Sequence, residues 1–178
     1  GYGLARQQAN TGLFSVGRIA EREPLFQWVG PFVSSQNRFY TLKGSPLKIN
    51  SLADARQHKL VMPRLWYSVQ YLQSQGFDDI YTVTSPEIMM NMFRNGRSDL
   101  LAASDVTLPN VLALADLTPA DVVPQFSFME HSSYLVFSPA TNPQVALRWQ
   151  KALEQLRRDG TVARLQSRWL GHIKPRQR

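Results

Sequence analysis

Residues 85–104, "SPEIMMNMFRNGRSDLLAAS", join one helix to one strand and point to the fold class of the chain. Ser85 is placed as the helix N-cap, and Pro86 stands at the first helical position, where no backbone donor is needed. Gly96 marks the end of the helix, and the apolar run that follows is typical of a buried strand. The apolar residues at helical spacing predict the inward stripe of the helix, which is Ile88, Met89, Met92 and Phe93.

Strand and helix patterns alternate on both sides of this stretch. Apolar and β-branched runs predict strands at residues 12–16, 38–43, 59–63, 79–84 and 132–139. Residues 142–160 predict an amphipathic helix whose inward face is Val145, Trp149, Ala152, Leu153 and Leu156. Alternation of this kind favours an α/β protein with mainly parallel sheets.

The composition is that of a globular protein, since 43% of the 178 residues are apolar and 19% are charged. We find no apolar run long enough for a transmembrane helix, and the opening residues do not resemble a secretory leader. The absence of cysteine excludes a disulfide framework and thiolate metal sites, and it fits cytosol and periplasm equally.

The net charge of +7 raises the question of a nucleic-acid partner. The basic residues are scattered except near the C-terminus, where the tail "KPRQR" follows Arg157, Arg158, Arg164 and Arg168. Because excess charge alone is a weak signal and such a tail is typical of a frayed terminus, we expect no nucleic-acid partner. A binder of nucleic acid or of an anionic surface stays an alternative, recognisable by binding that weakens steeply with salt.

Motifs for catalysis and metal binding are absent from the sequence. His58, His131 and His172 stand too far apart for metal-ligand spacing, and there is no phosphate loop, dinucleotide fingerprint or G-x-S-x-G elbow. The carboxylates of Asp78 and Asp79 follow a helix cap, where a solvated turn is the better interpretation. We therefore expect no enzyme activity, no cofactor and no metal.

Residues 13–23, "LFSVGRIAERE", set an apolar run against two arginines four residues apart. Arg18 and Arg22 are either solvated loop charges or a fork for an anion, because a guanidinium presents coplanar donors that match a carboxylate. These residues alone leave both interpretations open.

The segments of the chain follow one another in a recognisable order. Residues 13–32 lead from a strand to an arginine and then to aromatic residues, and residues 39–63 hold a strand, a helical turn and a second strand. Residues 84–104 carry a helix and a strand around "NGRSDLLA", and residues 134–171 close with a helix that ends in "DGT" before a last helix. In this order the segments resemble the bacterial extracellular solute-binding proteins of family 3, the polar amino-acid type.

The resemblance implies an α/β fold like that of type II periplasmic binding proteins, with two lobes and a ligand cleft between them. The first lobe would comprise residues 1–42 and 128–178 and the second residues 43–127, with the strands near 12–16 and 99–104 in separate sheets. The resemblance also implies a small solute, an amino acid or another small carboxylate, and a periplasmic location. Its partner would be the membrane permease of an ABC transporter, or the domain would serve as a sensory input.

The resemblance assigns roles to individual residues. Arg22 takes the place of the family's arginine that pairs bidentately with the ligand carboxylate, while Arg18 takes a polar position at the rim. The set of ligand-binding residues it predicts is Arg22, Ser15 and Gly17 in the first lobe and Arg64, Trp66, Tyr67, Ser104 and Asp105 in the second.

Two departures from the family pattern change the expected ligand. Residues 63–68, "PRLWYS", replace a small-residue loop, which predicts a smaller or more aromatic pocket, although Trp66 also suits core packing. The family's amine-binding aspartate aligns with Ser104, and Asp105 points to the opposite face of the strand.

The alternative function is an enzyme on the same scaffold, a dehydratase or a peptidoglycan-acting module, with Asp105 or Glu130 as acid or base.

Family members begin with a strand–helix–strand unit that has no counterpart here. We expect the first lobe to lack this unit. Either the unit is truncated, or it is supplied in trans. Exposed sheet edges would then favour a dimer or an exchange of strands.

Overall fold

The structure, a computed structural model, describes residues 1–171 apart from the side chain of Glu21; His172 and the tail "KPRQR" lie outside the described residues. The α-helices are α1 (Tyr2–Gln7), α2 (Leu52–Ala55), α3 (Tyr67–Ser74), α4 (Pro86–Arg94), α5 (Leu108–Ala113), α6 (Pro143–Arg158) and α7 (Thr161–Leu170). The strands are β1 (Gly12–Gly17), β2 (Gln27–Leu42), β3 (Leu60–Pro63), β4 (Ile80–Val83), β5 (Leu101–Ser104) and β6 (Val122–Phe137). Short 3₁₀ helices cover Ala20–Leu25 and Pro119–Asp121. None of the described helices is long and apolar enough to cross a membrane.

Two sixteen-residue strands, β2 and β6, organise the larger sheet, whose strand order is β1-β6-β2-β5. β1 pairs with β6 and β5 pairs with β2, both antiparallel, whereas β3 and β4 form a separate parallel pair. The prediction of mainly parallel sheets is therefore wrong for the larger sheet. The prediction of separate sheets for β1 and β5 is also wrong, because the two long strands link them.

The chain divides into two compact units. Unit 1 comprises Gly1–Ser34 and the residues from His131 onward, and unit 2 comprises Ser35–Glu130. The chain passes from one unit to the other within β2 and again within β6. The assignment of lobes with boundaries at residues 42 and 128 stays a prediction.

The core of unit 2 forms where α3 and α4 bury apolar side chains against short strands. β3 and β5 are buried along their whole lengths, as their unbroken apolar runs predict. α4 buries Met89, Met90 and Phe93, while Ile88 is 43% exposed. The predicted stripe is confirmed for Met89 and Phe93, and Met92 is partly buried against the same core. It is wrong for Ile88, because the helix is turned towards Met90.

Side-chain caps begin two helices of unit 2. Oγ of Ser85 accepts a hydrogen bond from the N–H of Ile88 at 3.5 Å, which confirms the predicted N-cap of α4. At α2, Oγ of Ser51 accepts from the N–H of Asp54 at 3.1 Å. Hydrogen bonds from the backbone of Asn50 and from the Ser51 side chain hold the pKa of Asp54 below its ordinary value.

The core of unit 1 forms where α6 packs on the inner strands. The buried residues of this cluster are Val29, Leu135, Phe137, Ala146 and Leu153. The predicted inward face of α6 is confirmed for Leu153, and Val145 also packs against this cluster. It is wrong for Ala152 and Leu156, which are exposed, whereas Trp149 is 47% exposed although its ring centroid lies 6.0 Å from that of Phe137. The helix turns Ala146 towards the strands instead, since a small side chain lets the elements approach closely.

A close contact at Gly30 of β2 fixes the position of Tyr134 on β6. Gly30 has a φ of +148°, and a Cβ atom there would lie 2.6 Å from Cδ1 of the Tyr134 ring. Both the backbone conformation and the packing therefore require glycine at this position.

We expect Gly30→Ala to destabilise the protein by about 1–3 kcal/mol, because alanine is strained at this φ and its methyl group displaces Tyr134. Denaturant unfolding measures the change. Gly44→Ala is the matched control, since Gly44 has a φ of +89° but open space around it. Equal losses in both variants would show that the contact with Tyr134 contributes nothing.

Candidate functional site

Arg18 lies in a corner formed by two aromatic rings of unit 1. Its guanidinium carbon is 5.3 Å from the ring centroid of Trp28 and 5.3 Å from that of Tyr134. The two rings are 5.5 Å apart and stand at 84° to each other. Arg18 also donates two hydrogen bonds to the carboxylate of Glu23, from Nε at 2.7 Å and from Nη2 at 2.5 Å. The planar fork of Arg18 is thus filled by a carboxylate of the same turn.

The ion pair shifts the ionisation of both partners. The hydrogen bonds from Arg18 hold the pKa of Glu23 below its ordinary value. The same bonds raise the pKa of Arg18, against a smaller opposing effect of burial. The two side chains are 40% and 48% exposed, so solvent screening limits the energy of the pair.

Arg22 lies in the 3₁₀ helix Ala20–Leu25 and is half-buried. Its guanidinium carbon is 5.2 Å from the ring centroid of Tyr2, which belongs to α1. Among the side chains that the structure describes, none forms an ion pair or a hydrogen bond with the Arg22 guanidinium. A ring face attracts a guanidinium without using its N–H donors, so no side chain that the structure describes occupies the donors of Arg22.

Four aromatic rings of unit 1 form a row between the two arginines, in the order Tyr2, Phe26, Trp28 and Tyr134. Successive ring centroids are 5.3, 5.7 and 5.5 Å apart. All three contacts are edge-to-face, an arrangement that aromatic quadrupoles favour. Arg22 lies over one end of this aromatic row and Arg18 over the other, so the turn between β1 and β2 is held at two points.

Ser15 and Gly17 belong to β1, just before that turn. The pairing of β1 with β6 shifts between Leu13 and Val16, so Ser15 lies in a bulge. Ser15 is exposed and has a φ of +60°, which is uncommon for a residue other than glycine. Gly17 is buried and pairs with Ser133 of β6.

In unit 2, three of the predicted residues lie around two adjacent residues of β2. Nδ2 of Asn37 donates a hydrogen bond to Oη of Tyr67 at 3.0 Å, and Asn37 is also the register partner of Ser104. Oδ1 of Asp105 accepts from the N–H of Gln36 at 3.1 Å. Tyr67, Ser104 and Asp105 are therefore brought together at this part of β2.

Asp105 is tied to β2 through its backbone as well. Its N–H donates to the carbonyl oxygen of Gln36 at 3.0 Å. Burial raises the pKa of Tyr40 to about 12, and the charge of Asp105 adds to the effect. Through these hydrogen bonds to Gln36, Asp105 fixes the C-terminal end of β5 against β2.

Arg64, Leu65 and Trp66 form the turn between β3 and α3. The buried residues of unit 2 form two apolar clusters, one around Phe93 of α4 and one around Leu72 of α3. Trp66 is half-buried and packs against both clusters, which supports its interpretation as a core residue. Arg64 is exposed, and Leu65 is 89% exposed. The full set of ligand-binding residues therefore stays a prediction, with Ser15, Gly17 and Arg22 in unit 1 and the other five in unit 2.

Sequence reasoning missed Tyr2, Glu23 and Tyr134 as partners of the two arginines. Glu23 follows Arg18 by five residues, a spacing that brings side chains together in neither a helix nor a strand. Tyr134 comes from β6, and no sequence pattern links it to the turn. In residues 1–171, no group of histidine and carboxylate side chains could hold a metal ion.

Comparison with known proteins shows no matching family model and no matching curated protein. Solved structures do resemble the chain. The sensor domain of a histidine kinase, described as similar to periplasmic binding proteins, matches with a TM-score of 0.82 over 98% of this chain and 75% of that chain, at 18% identity.

Two ligand-bound structures are also similar to the chain. An ancestral arginine-binding protein bound to glutamine matches with a TM-score of 0.71, over 88% of this chain and 68% of that chain, at 18% identity. The ligand-binding core of GluR0 from Nostoc punctiforme, in complex with L-glutamate, matches with a TM-score of 0.71, over 87% of this chain and 70% of that chain, at 19% identity. At these identities the likeness concerns the fold: the chain is an α/β protein that matches periplasmic-binding-protein-like structures.

We expect Trp66→Ala to destabilise the protein by about 2 kcal/mol or more, because it leaves a cavity between the two clusters of unit 2. The neighbouring variant Leu65→Ala should change the free energy of unfolding by less than about 0.5 kcal/mol, since that side chain is exposed. Denaturant unfolding of both variants checks this. A loss at Leu65 as large as that at Trp66 would contradict the core interpretation.

We expect Arg18→Ala to raise the pKa of Glu23 towards its ordinary value, because the hydrogen bonds that favour its charged form are lost. The sign follows from the lowered pKa: the ion pair stabilises the fold above the ordinary carboxyl range and loses this effect as the pH falls through the folded pKa. Carboxyl-carbon NMR titration of Glu23 in both proteins is the measurement. An unchanged titration of Glu23 would contradict the ion pair.

Proposed function

We propose that this chain binds a small solute bearing a carboxylate, an amino acid or a similar molecule, and that Arg22 is the residue that pairs with the carboxylate. On this proposal the domain serves sensing or ABC-type uptake in the periplasm. Ser15 and Gly17, which precede the same turn, would contribute a hydroxyl and backbone groups. The permease or the receptor would be its macromolecular partner.

The observation that carries the proposal is the difference between the two arginines of the turn. Arg18 has its fork filled by Glu23, whereas no described side chain pairs with Arg22. Arg22 is half-buried and is held over the ring of Tyr2. A cation fixed by a ring face, with its donors unused, is arranged to receive a carboxylate in two parallel hydrogen bonds.

The similar structures support this class of ligand. Two of them are named as complexes with glutamine and with L-glutamate, and the third is named as a sensor domain. Each of the three similarities covers at least 87% of this chain. The sensory form of the proposal has the further support that the histidine kinase sensor domain matches 98% of the chain.

An enzyme on the same scaffold is less well supported. A general base needs a carboxylate that can reach a reacting proton. Oδ1 of Asp105 already accepts a backbone hydrogen bond, and Glu130 is exposed. The three solved structures described above are named as binding or sensor domains.

Dimerisation or strand exchange stays part of the proposal. β1 stands at the end of the strand order β1-β6-β2-β5, and its Phe14 side chain is 60% exposed. An edge strand with an exposed aromatic residue is a place where a second copy or another segment could pair. Phe14 and the outer edge of β1 are therefore where such exchange would occur.

Thermal unfolding with matched pairs of solutes tests the proposal. L-arginine is compared with agmatine and L-glutamine with 4-aminobutanamide, because the second member of each pair lacks the carboxylate. A binding solute at a hundred times its dissociation constant should stabilise the fold by about 2.7 kcal/mol. Stabilisation by the decarboxylated member alone would overturn the carboxylate as the recognised group.

We expect Arg22→Ala to weaken binding of the carboxylate solute by about 2–5 kcal/mol, the scale for losing one partner of a buried charge pair. Arg22→Lys should recover only part, because an ammonium lacks the planar fork. Arg6→Ala is the matched control, since Arg6 is an exposed arginine of the same unit. Calorimetric titration measures all three, and equal losses at Arg6 and Arg22 would indicate a general electrostatic field instead of a fork.

A further inference from the structure

We propose that Trp28, Tyr134 and Glu23 form a guanidinium-binding box, that the chain's own Arg18 is its occupant, and that this occupancy fixes the turn that carries Arg22. The guanidinium box is defined by these three residues. Arg18 is then a positioning residue. The consequence for solute binding rests on the function proposed for Arg22, whereas the box itself does not.

The shape of the box suits a flat cation. The rings of Trp28 and Tyr134 meet at 84°, and the guanidinium carbon lies 5.3 Å from both centroids. The third side is the carboxylate of Glu23, which accepts from Nε and Nη2 of Arg18. Two π faces and a bidentate acceptor together match a planar, multiply donating cation better than a compact ammonium.

The walls of the box are themselves held in place. Nε1 of Trp28 donates to the backbone oxygen of Glu23 at 3.1 Å, so the ring is held against the backbone that carries the carboxylate. Tyr134 lies against Gly30, which has no side chain to displace it, and is paired in register with Val16. A site with fixed walls loses little freedom when it takes up its cation.

The box spans the turn that carries Arg22. Arg18 and Glu23 flank residues 19–22, and the N–H groups of Arg22 and Glu23 both donate to the carbonyl oxygen of Ile19, at 3.0 and 3.1 Å. Closing this loop through the side chains of Arg18 and Glu23 limits the opening of those two backbone hydrogen bonds. The pKa of Glu23 is lowered by its hydrogen bonds from Arg18, which agrees with a charged acceptor in the box.

Amide hydrogen exchange with added cations tests the box without any solute. In Arg18→Ala, the amides of Arg22 and Glu23 should exchange about tenfold faster or more, a factor that corresponds to ~1.4 kcal/mol. Guanidinium chloride at millimolar concentration, far below denaturing levels, should slow this exchange again. Methylammonium chloride at the same concentration should not, and sodium chloride controls for ionic strength.

Three further variants separate the box from general packing. Arg18→Lys should exchange almost as fast as Arg18→Ala, because an ammonium fits the box poorly. Glu23→Gln preserves the shape of the side chain but removes the charge, and it should give an intermediate acceleration. Arg22→Ala is the matched control: it removes an arginine from the same turn, and guanidinium should not slow exchange in it.

Several results would overturn the box. Unchanged exchange in Arg18→Ala would show that Arg18 does not hold the turn, and if that variant does not fold, unchanged exchange in Glu23→Gln decides the same point. Equal slowing by methylammonium and guanidinium, or slowing of exchange in Arg22→Ala, would show a non-specific salt effect. Because no solute is present, failure of the box and failure of carboxylate binding at Arg22 are distinguishable.

Discussion

Backbone pairing along β2 and β6 is the constraint on which the rest of the structure depends. Each strand has sixteen residues, and the chain passes between units 1 and 2 inside both. β1 takes its place by pairing with β6, and β5 by pairing with β2. Since side chains alternate along a strand, the register of these pairs decides which side chains reach the core and which reach the turn that carries Arg18 and Arg22. Trp28 and Tyr134 stand beside Arg18 because these two strands bring them there.

Local signals made α4 and the short strands of unit 2 predictable. The cap at Ser85, the proline that follows it and the apolar spacing of α4 all act within a few residues, so the helix could be placed from the sequence. The strand order of the larger sheet could not be placed from the sequence, because pairing strands lie far apart in the chain. An apolar run also does not indicate whether the neighbouring strand is parallel or antiparallel. The same limit explains the residues wrongly assigned to the buried faces of α4 and α6, where packing against a particular strand turns the helix away from its simplest apolar stripe.

The candidate site was predictable in residue type but not in arrangement. The sequence showed two arginines in one turn and left open whether each was a solvated charge or a fork. Their difference depends on Tyr2, Glu23 and Tyr134, and two of these come from α1 and β6. Resemblance to a family could assign a role to Arg22 but could not show that Glu23 fills the fork of Arg18.

One turn holds two arginines, Arg18 and Arg22, by different kinds of contact. A carboxylate holds a guanidinium by occupying its N–H donors, so an arginine bound in this way is a structural tie. An aromatic face attracts the positive charge of a guanidinium without bonding to its N–H groups. An arginine held in this way can therefore still donate hydrogen bonds to an anion. Arg18 has both kinds of contact, with Nε and Nη2 bonded to Glu23, whereas Arg22 has the ring of Tyr2 alone among the described side chains. On the proposed roles, recognition at Arg22 and restraint at Arg18 both depend on the position of one carboxylate, that of Glu23.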